Sequence, residues 1–298
     1  MMKLINIANI LFIFTIMFSC KEKASNSTAN QQSIEALKIV NKPKGKLFII
    51  GGGKRPKEMI KELLTTSNFN NEAYLVILPM ASQEPDSTIY YASKQFEELG
   101  IDSKKIKGFN FEKNKENKVW LDSLKQAKII YISGGDQVKF MDVVLNTPIY
   151  DALHEAYQNG TTIAGTSAGA AIMSEKMITG NEYKHKEYTG DFRTIEANNI
   201  EISQGMGFIK HAIIDQHFVK RMRMNRLVSI AIEHPNETAI GIDESTAIII
   251  EGDSIKVTGL SQVIVIKNPK KNLKIKEGLL GADQLELSVK LPGSRFTF

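Results

Sequence analysis

A doubly wound α/β fold, with a mostly parallel sheet covered by helices on both faces, is what this 298-residue sequence predicts. Two observations carry the prediction. Short apolar runs recur without polar alternation, the pattern of strands buried on both faces. Helix-length segments separate them, and glycines and polar residues (Gly51–Gly53, Ser82, Gly134–Gln137, Ser167) follow several runs directly, where ligands bind in folds of this kind.

In chain order, residues 47–50 form a strand closed by three glycines, and 59–64 a helix. Residues 74–78 form a second strand stopped by Pro79, and 90–99 a helix ended by Gly100. The strand 129–132 ends in Ser133-Gly134-Gly135, and helices follow over 138–145 and 148–158. A short strand at 161–163 leads into a turn around Ser167. Strands at 211–214 and 238–242 flank a helix over 219–234. The tail differs: runs at 247–250, 254–257 and 263–266, around a Gly252-Asp253 turn, predict antiparallel hairpin strands extending the same domain. The lysine-rich segment 104–118 reads as solvated surface, and the polar stretch 181–199 as an extended loop on the rim of the site, able to reshape specificity.

A 42% hydrophobic, 24% charged composition is that of a globular protein, sized for one large domain or two small ones. The net charge is +5, but the lysines are scattered and no basic stripe interleaves with aromatics, so no nucleic-acid partner is expected. Residues 1–20 read as a leader: Lys3, then an apolar run shorter than a membrane span, then Ser19-Cys20. A small residue before the chain's single cysteine resembles a bacterial lipobox, in which the peptide is cut before the cysteine and lipid is attached to it. Cys20 is the expected lipidation site, residues 21–44 a flexible polar tether, and 45–298 the catalytic domain. The expected location is the bacterial cell envelope, lipid-anchored and outside the cytoplasm.

The segment Gly-Thr-Ser-Ala-Gly-Ala at 165–170 carries the chemistry. G-x-S-x-G between a strand and a helix is the context of a nucleophile elbow, where Ser167 stands exposed at a helix N-terminus that favours developing negative charge. A serine hydroxyl needs a base. Of the five histidines, four read as structural or exposed; His217 lies just past a strand, predicted to emerge at the same sheet edge as the elbow. Acids between Ser167 and His217 are scattered, whereas Asp243-Glu244 follows a strand directly, giving the order Ser, His, acid. Gly51-Gly52-Gly53 lacks the spacing of a nucleotide loop, and no H-E-x-x-H or clustered Cys/His pattern suggests a metal, so no cofactor is expected.

Four segments in this order, Ser-Gly-Gly-Asp-Gln at 133–137, the elbow at 165–170, Asp-Gln-His-Phe with its following arginines at 215–226, and Gly-Ile-Asp-Glu at 241–244, resemble the cyanophycinase-like family of serine peptidases, with aspartyl dipeptidase a more distant member. The resemblance spans about residue 46 to the C-terminus. It implies a fold similar to class I glutamine amidotransferases, with serine in place of cysteine, and a Ser-His-Glu triad. By motif, Ser167 is then the nucleophile, His217 the general base and Glu244, rather than Asp243, the orienting acid. Ala168 with Gly134 or Gly135 would supply the oxyanion hole. Gln137, Asp215 and Gln216 would hold the polar backbone of the substrate. Arg223 and Arg226, three apart on the helix and so on one face, would clamp aspartate carboxylates, as the family does; Arg221 and Lys220 read as surface. The implied substrate is an aspartate-rich peptide such as cyanophycin, cut into β-Asp-Arg dipeptides, with an α-aspartyl dipeptidase or an inactive surface binding lipoprotein as alternatives. Relatives are often dimers, which implies a homodimer.

Overall fold

The computed structural model describes residues 42–187 and 192–298; the expected leader, Cys20 and most of the tether lie outside the described residues. No helix among the described residues is long and apolar enough to cross a membrane.

The strand-forming runs assemble a central sheet. Strands β1 (Leu47–Ile50), β2 (Leu75–Leu78), β3 (Ile106–Gly108), β4 (Ile129–Ile132) and β5 (Thr162–Thr166) run parallel in the order β1-β5-β4-β2-β3. Their side chains alternate between two cores. Phe48, Ile50, Ile77, Tyr131 and Ala164 face α1 (Lys57–Thr66) and α2 (Pro85–Glu97), through Ile60, Leu63 and Phe96. Leu47, Ile49, Leu78, Ile132 and Ile163 face α3 (Lys118–Gln126), α4 (Gln137–Val144) and α5 (Pro148–Asn159), through Leu124, Phe140 and Leu153. Burying one such side chain stabilises by about 1.5–3 kcal/mol, so both faces are strongly held. The helix starts are written locally: Asp136 accepts hydrogen bonds from the Val138 and Lys139 N–H groups, and Thr147 caps α5 ahead of Pro148. The reading of 104–118 as surface is corrected: β3 lies within it, and Phe109 and Phe111 are buried there, while helix α3 follows on the apolar pair Leu121 and Leu124.

After the elbow come α6 (Ala168–Ala171), the hairpin β6 (Lys176–Glu182) with β7 (Ile200–Gln204), then β8 (Ala212–Gln216), α7 (Met224–Glu233) and β9 (Thr238–Ile242). Here the structure corrects the sequence reading. Strands β8 and β9 do not extend the central sheet; they pair in parallel in a second, four-stranded sheet with β12 (Val263–Lys267) and β15 (Glu286–Lys290). This sheet has its own core, in which Ile213, Ala239 and Ile264 meet Leu227 and Ile230 of α7. Periodicity reports burial and not which sheet a buried strand joins. Strands β10 (Thr246–Glu251) and β11 (Ser254–Gly259) turn at Gly252-Asp253 and add antiparallel to β1, with β16 (Arg295–Phe296) at the edge beyond them. A small hairpin, β13 (Lys274–Lys276) with β14 (Leu279–Gly281), joins neither larger sheet and holds the 195–197 segment, with Leu280 N–H donating to Ile195 O at 3.1 Å and Ala197 N–H to Gly278 O at 2.9 Å.

The helix predicted to begin at 219 begins at 224. His217 and Met222 both hold positive φ, and the chain between them is tied in turns by Arg221 N–H to His217 O and Arg223 N–H to Phe218 O. Arg223 is therefore the residue before the first helical turn, not a member of a helical face with Arg226.

Candidate active site

The C-terminal ends of β1, β5, β8 and β9 converge. In the central sheet Ile50 pairs with Thr166, and the N–H of Ser167 donates to Ile50 O at 3.0 Å. In the second sheet Gln216 pairs with Ile242, so His217 and Asp243 leave neighbouring strands together. His217 N–H donates to Gly51 O at 2.7 Å and ties the two sheets together, while Gly51 N–H to Thr246 O and Ser245 N–H to Gly52 O, both at 2.9 Å, continue the β1–β10 pairing of the central sheet. Glu244 rides the crossing from β9 to β10, next to Ser245 at φ 54°.

Ser167 has φ 54° and ψ −110°, a conformation that costs a non-glycine residue about 1–3 kcal/mol and is sustained by the elbow around it. A Cβ on Gly165 would fall 2.1 Å from Gly169 O, so only glycine lets strand and helix approach this closely. The half-buried hydroxyl meets His217: Oγ to Nε2 is 2.8 Å, and Nδ1 to Glu244 Oε1 is 2.7 Å. A carboxylate can only accept, so Nδ1 carries the proton and Nε2 presents its lone pair to the serine O–H. Burial holds the imidazole below its ordinary pKa; the hydrogen bond to Glu244 opposes this, and the Arg221 and Arg223 charges add to it. His217 is thus neutral and able to take a proton at neutral pH. Asp243 faces elsewhere, accepting from Lys220 N–H at 2.9 Å and the Ser261 hydroxyl at 2.6 Å. Of the other histidines, His154 binds Met206 O at 2.7 Å between Tyr150 and Phe208.

Beside Ser167 opens a cavity of about 380 Å³, bounded by Gly135, Gln137, Gln216, Arg221 and Arg223, with Thr179–Asn181 of β6 across from them. Gly134 lies against the serine: a Cβ there would be 3.2 Å from the Ser167 Cβ. Ala168 follows in the first turn of α6. Gln137 lines the cavity, but its amide nitrogen donates to Ile178 O and Thr179 O, anchoring β6. Asp215 is a correction: its carboxylate is fully buried, receives the Arg226 guanidinium on both oxygens and accepts from Gln216 N–H, and is absent from the cavity wall. Arg226 reaches the wall, but its fork is committed to Asp215 and its guanidinium stacks on Phe192, with 4.2 Å from Cζ to the ring centroid. An acid and a base eleven residues apart pair internally because neither can be buried alone. Arg223 donates to the Gln216 carbonyl at 2.6 Å and to its side-chain oxygen at 2.8 Å, fixing Gln216 at the wall.

Sequence reasoning missed Arg221, which is exposed and lines the cavity, and it missed Thr179 and Gly180, while Asn181, the first residue of the expected rim stretch, does line it. It also passed over Gly52 and Gly53, beds for the His217 ring and the Glu244 side chain. Their available signal was three glycines directly after a strand.

A profile described as Peptidase family S51 matches residues 47–258. The cyanophycinase of Trichormus variabilis is 31% identical over 259 residues, covering 83% of this chain and 84% of that protein. Peptidase E of Actinobacillus pleuropneumoniae is 23% identical over 226 residues, 68% of this chain and 90% of its own length. The crystal structure of a peptidase from an acI-B1 Actinobacterium shares the fold, with a TM-score of 0.63 at 24% identity over 86% of this chain and 98% of that one. A buried histidine between a strained serine and a glutamate is the chemistry such enzymes require, and the chain belongs to Peptidase family S51, a serine-type peptidase.

Proposed function

We propose that this chain is a cyanophycinase-type peptidase, anchored outside the cytoplasm by lipid on Cys20, that cuts aspartyl peptide bonds and releases β-Asp-Arg dipeptides. The observation that carries the substrate class is Arg221 beside Arg223 in a cavity opening onto Ser167, a cationic wall suited to a carboxylate-bearing acyl group. The likeness to cyanophycinase supports the same reading. Anchoring rests on the sequence of residues 1–20, and it directs the enzyme at material outside the cell rather than cytoplasmic granules of its own.

In the reaction the Ser167 Oγ attacks the scissile carbonyl carbon while its proton passes to His217 Nε2. Glu244 steadies the imidazolium that forms. The oxyanion takes hydrogen bonds from Ala168 N–H and from Gly134 or Gly135 N–H, each worth about 3 kcal/mol in the transition state. His217 returns the proton to the departing amine as the C–N bond breaks, and the acyl-enzyme is cleared by water activated at the same nitrogen.

The test uses protein beginning at residue 21, offered cyanophycin and a panel of α- and β-aspartyl peptides. Release of β-Asp-Arg, lost in Ser167→Ala, is the expected result; release undiminished in that variant ends the proposal. The likeness to Peptidase E favours a second reading, an α-aspartyl dipeptidase, and the ratio of kcat/KM on α-Asp-Ala and β-Asp-Arg separates the two. Loss of membrane association in Cys20→Ala tests the anchor.

A further inference from the structure

A second cavity, of about 240 Å³, shares no lining residue with the first. Its walls are Arg55, Ser87, Tyr91, Tyr131, Ser133 and Thr166, closed by Gly134. Thr166 immediately precedes the nucleophile, and a Cβ on Gly134 would stand 3.7 Å from the Ser167 Oγ, so this cavity also abuts the serine. The two are built on opposite faces of the central sheet. Tyr131 and Ala92 of the second cavity belong to the core under α1 and α2, whereas the α4 wall of the first belongs to the opposite core.

Three features of the second cavity call for a ligand. The Tyr131 and Thr166 hydroxyls are buried against each other, on residues 2% and 4% exposed, and neither makes a well-formed hydrogen bond beyond that mutual contact. Buried polar atoms are almost always satisfied, and a pair of hydroxyls with only each other keeps hydrogen-bonding capacity that an outside group at this wall would complete. Arg55 is the third. Its Nε donates to Gln95 Oε1 at 2.6 Å and an η nitrogen to Gly53 O at 3.1 Å, which fixes the guanidinium between α2 and the glycine bed of Glu244. Both of these partners are neutral.

We propose that this cavity is the subsite for the leaving side of the substrate and that it takes a carboxylate, held by Arg55 with the Tyr131 and Thr166 hydroxyls donating. The assignment rests on the reading that the first cavity holds the acyl side. A peptide whose carbonyl carbon sits at Ser167 then passes Gly134 into the second cavity, and the amine released there carries a negative group. That group is either the terminal carboxylate of the leaving residue or its acidic side chain.

The test compares kcat/KM on aspartyl-alanine, aspartyl-alanine amide and aspartyl-aspartate amide. Wild-type enzyme is expected to favour the free carboxylate over the alanine amide by about 30-fold, the scale of one charge-assisted pair. Arg55→Ala is expected to collapse that preference, Arg55→Lys to restore part of it, and Tyr131→Phe to reduce it a few-fold. A recovered rate on aspartyl-aspartate amide assigns the side-chain carboxylate; its absence assigns the terminal one. No preference in wild type, or an equal loss on all three peptides in Arg55→Ala, overturns the proposal. If wild type cleaves none of them, the aspartyl reading has failed, and labelling of Ser167 by a fluorophosphonate decides the subsite separately. Millimolar alanyl-alanine is expected to slow labelling more than its amide does, through Arg55; equal protection by the two overturns the subsite.

Discussion

The His217 ring occupies space that exists because residue 52 has no side chain. A Cβ built on Gly52 would lie 2.4 Å from the His217 Cε1 and 2.5 Å from Nε2, the nitrogen that faces Ser167. Gly53 does the same for Glu244, where a Cβ would stand 2.7 Å from the glutamate Cβ. The end of β1 is therefore the floor on which base and acid rest, although neither belongs to its sheet.

Gly52→Ala should damage the enzyme twice. The position has φ +106°, costing an alanine about 1–3 kcal/mol, and the methyl displaces the imidazole. We expect a lowered Tm and a fall in kcat of at least about 100-fold, since a displacement near 1 Å at a reacting group has that effect. Thermal melts and turnover of the same preparation check it.

Asp243 and Glu244 are neighbours with separable tasks. Glu244→Gln should keep the fold and lower kcat by up to about 10⁴-fold, because an amide stabilises the imidazolium poorly and admits the wrong tautomer. Asp243→Asn should leave most turnover intact and cost about 1–3 kcal/mol of stability, since it weakens the contacts with Lys220 and Ser261. Equal kinetic losses in the two variants would contradict this division.

The pH profile follows from the sign of the His217 shift. Burial first, then Arg221 and Arg223, disfavour the imidazolium, so the neutral base persists below the ordinary value of 6.5 and the acid limb of kcat/KM falls beneath it. Arg221→Gln removes a depressing charge and should move the limb to higher pH. Glu244→Gln removes supporting interactions and should move it lower. The same depression lets the unfolded chain bind a proton that the fold refuses, so stability declines as pH drops through 6.5. Profiles of kcat/KM for the three enzymes decide the signs.

Asp215 and Arg226 form a buried pair at the cavity wall, the acid behind the arginine. Arg226→Ala strands a carboxylate in the core and should cost about 3–5 kcal/mol, while Asp215→Leu combined with Arg226→Met should recover much of that. Denaturant unfolding of the single and double variants measures it.

Much of the machinery was legible in the chain. The elbow at Ser167 announces itself through its glycines, and the central strands through unbroken apolar runs, because backbone geometry and double-sided burial are local demands. His217 was distinguishable by its place after a strand. Arg221, Arg226 and Asp215 were not separable this way. Whether a charged side chain faces a cavity or another charge depends on what packs across from it, and spacing along one segment is silent about that. The turns at 218–223 also hide from periodicity, since positive φ at His217 and Met222 leaves little mark in composition.

The sequence by itself determined the layered α/β architecture and the nucleophile turn, because each rests on local backbone or burial preference, and it narrowed the acid to Asp243 or Glu244, with the family resemblance favouring Glu244. Only the tertiary structure decided that the histidine and glutamate arrive from a separate four-stranded sheet, that the Arg226 fork is committed to a buried Asp215, and that two cavities flank the serine. Those outcomes depend on which buried strands pair and which charges find one another across the core, and such long-range choices are made by packing the whole chain at once.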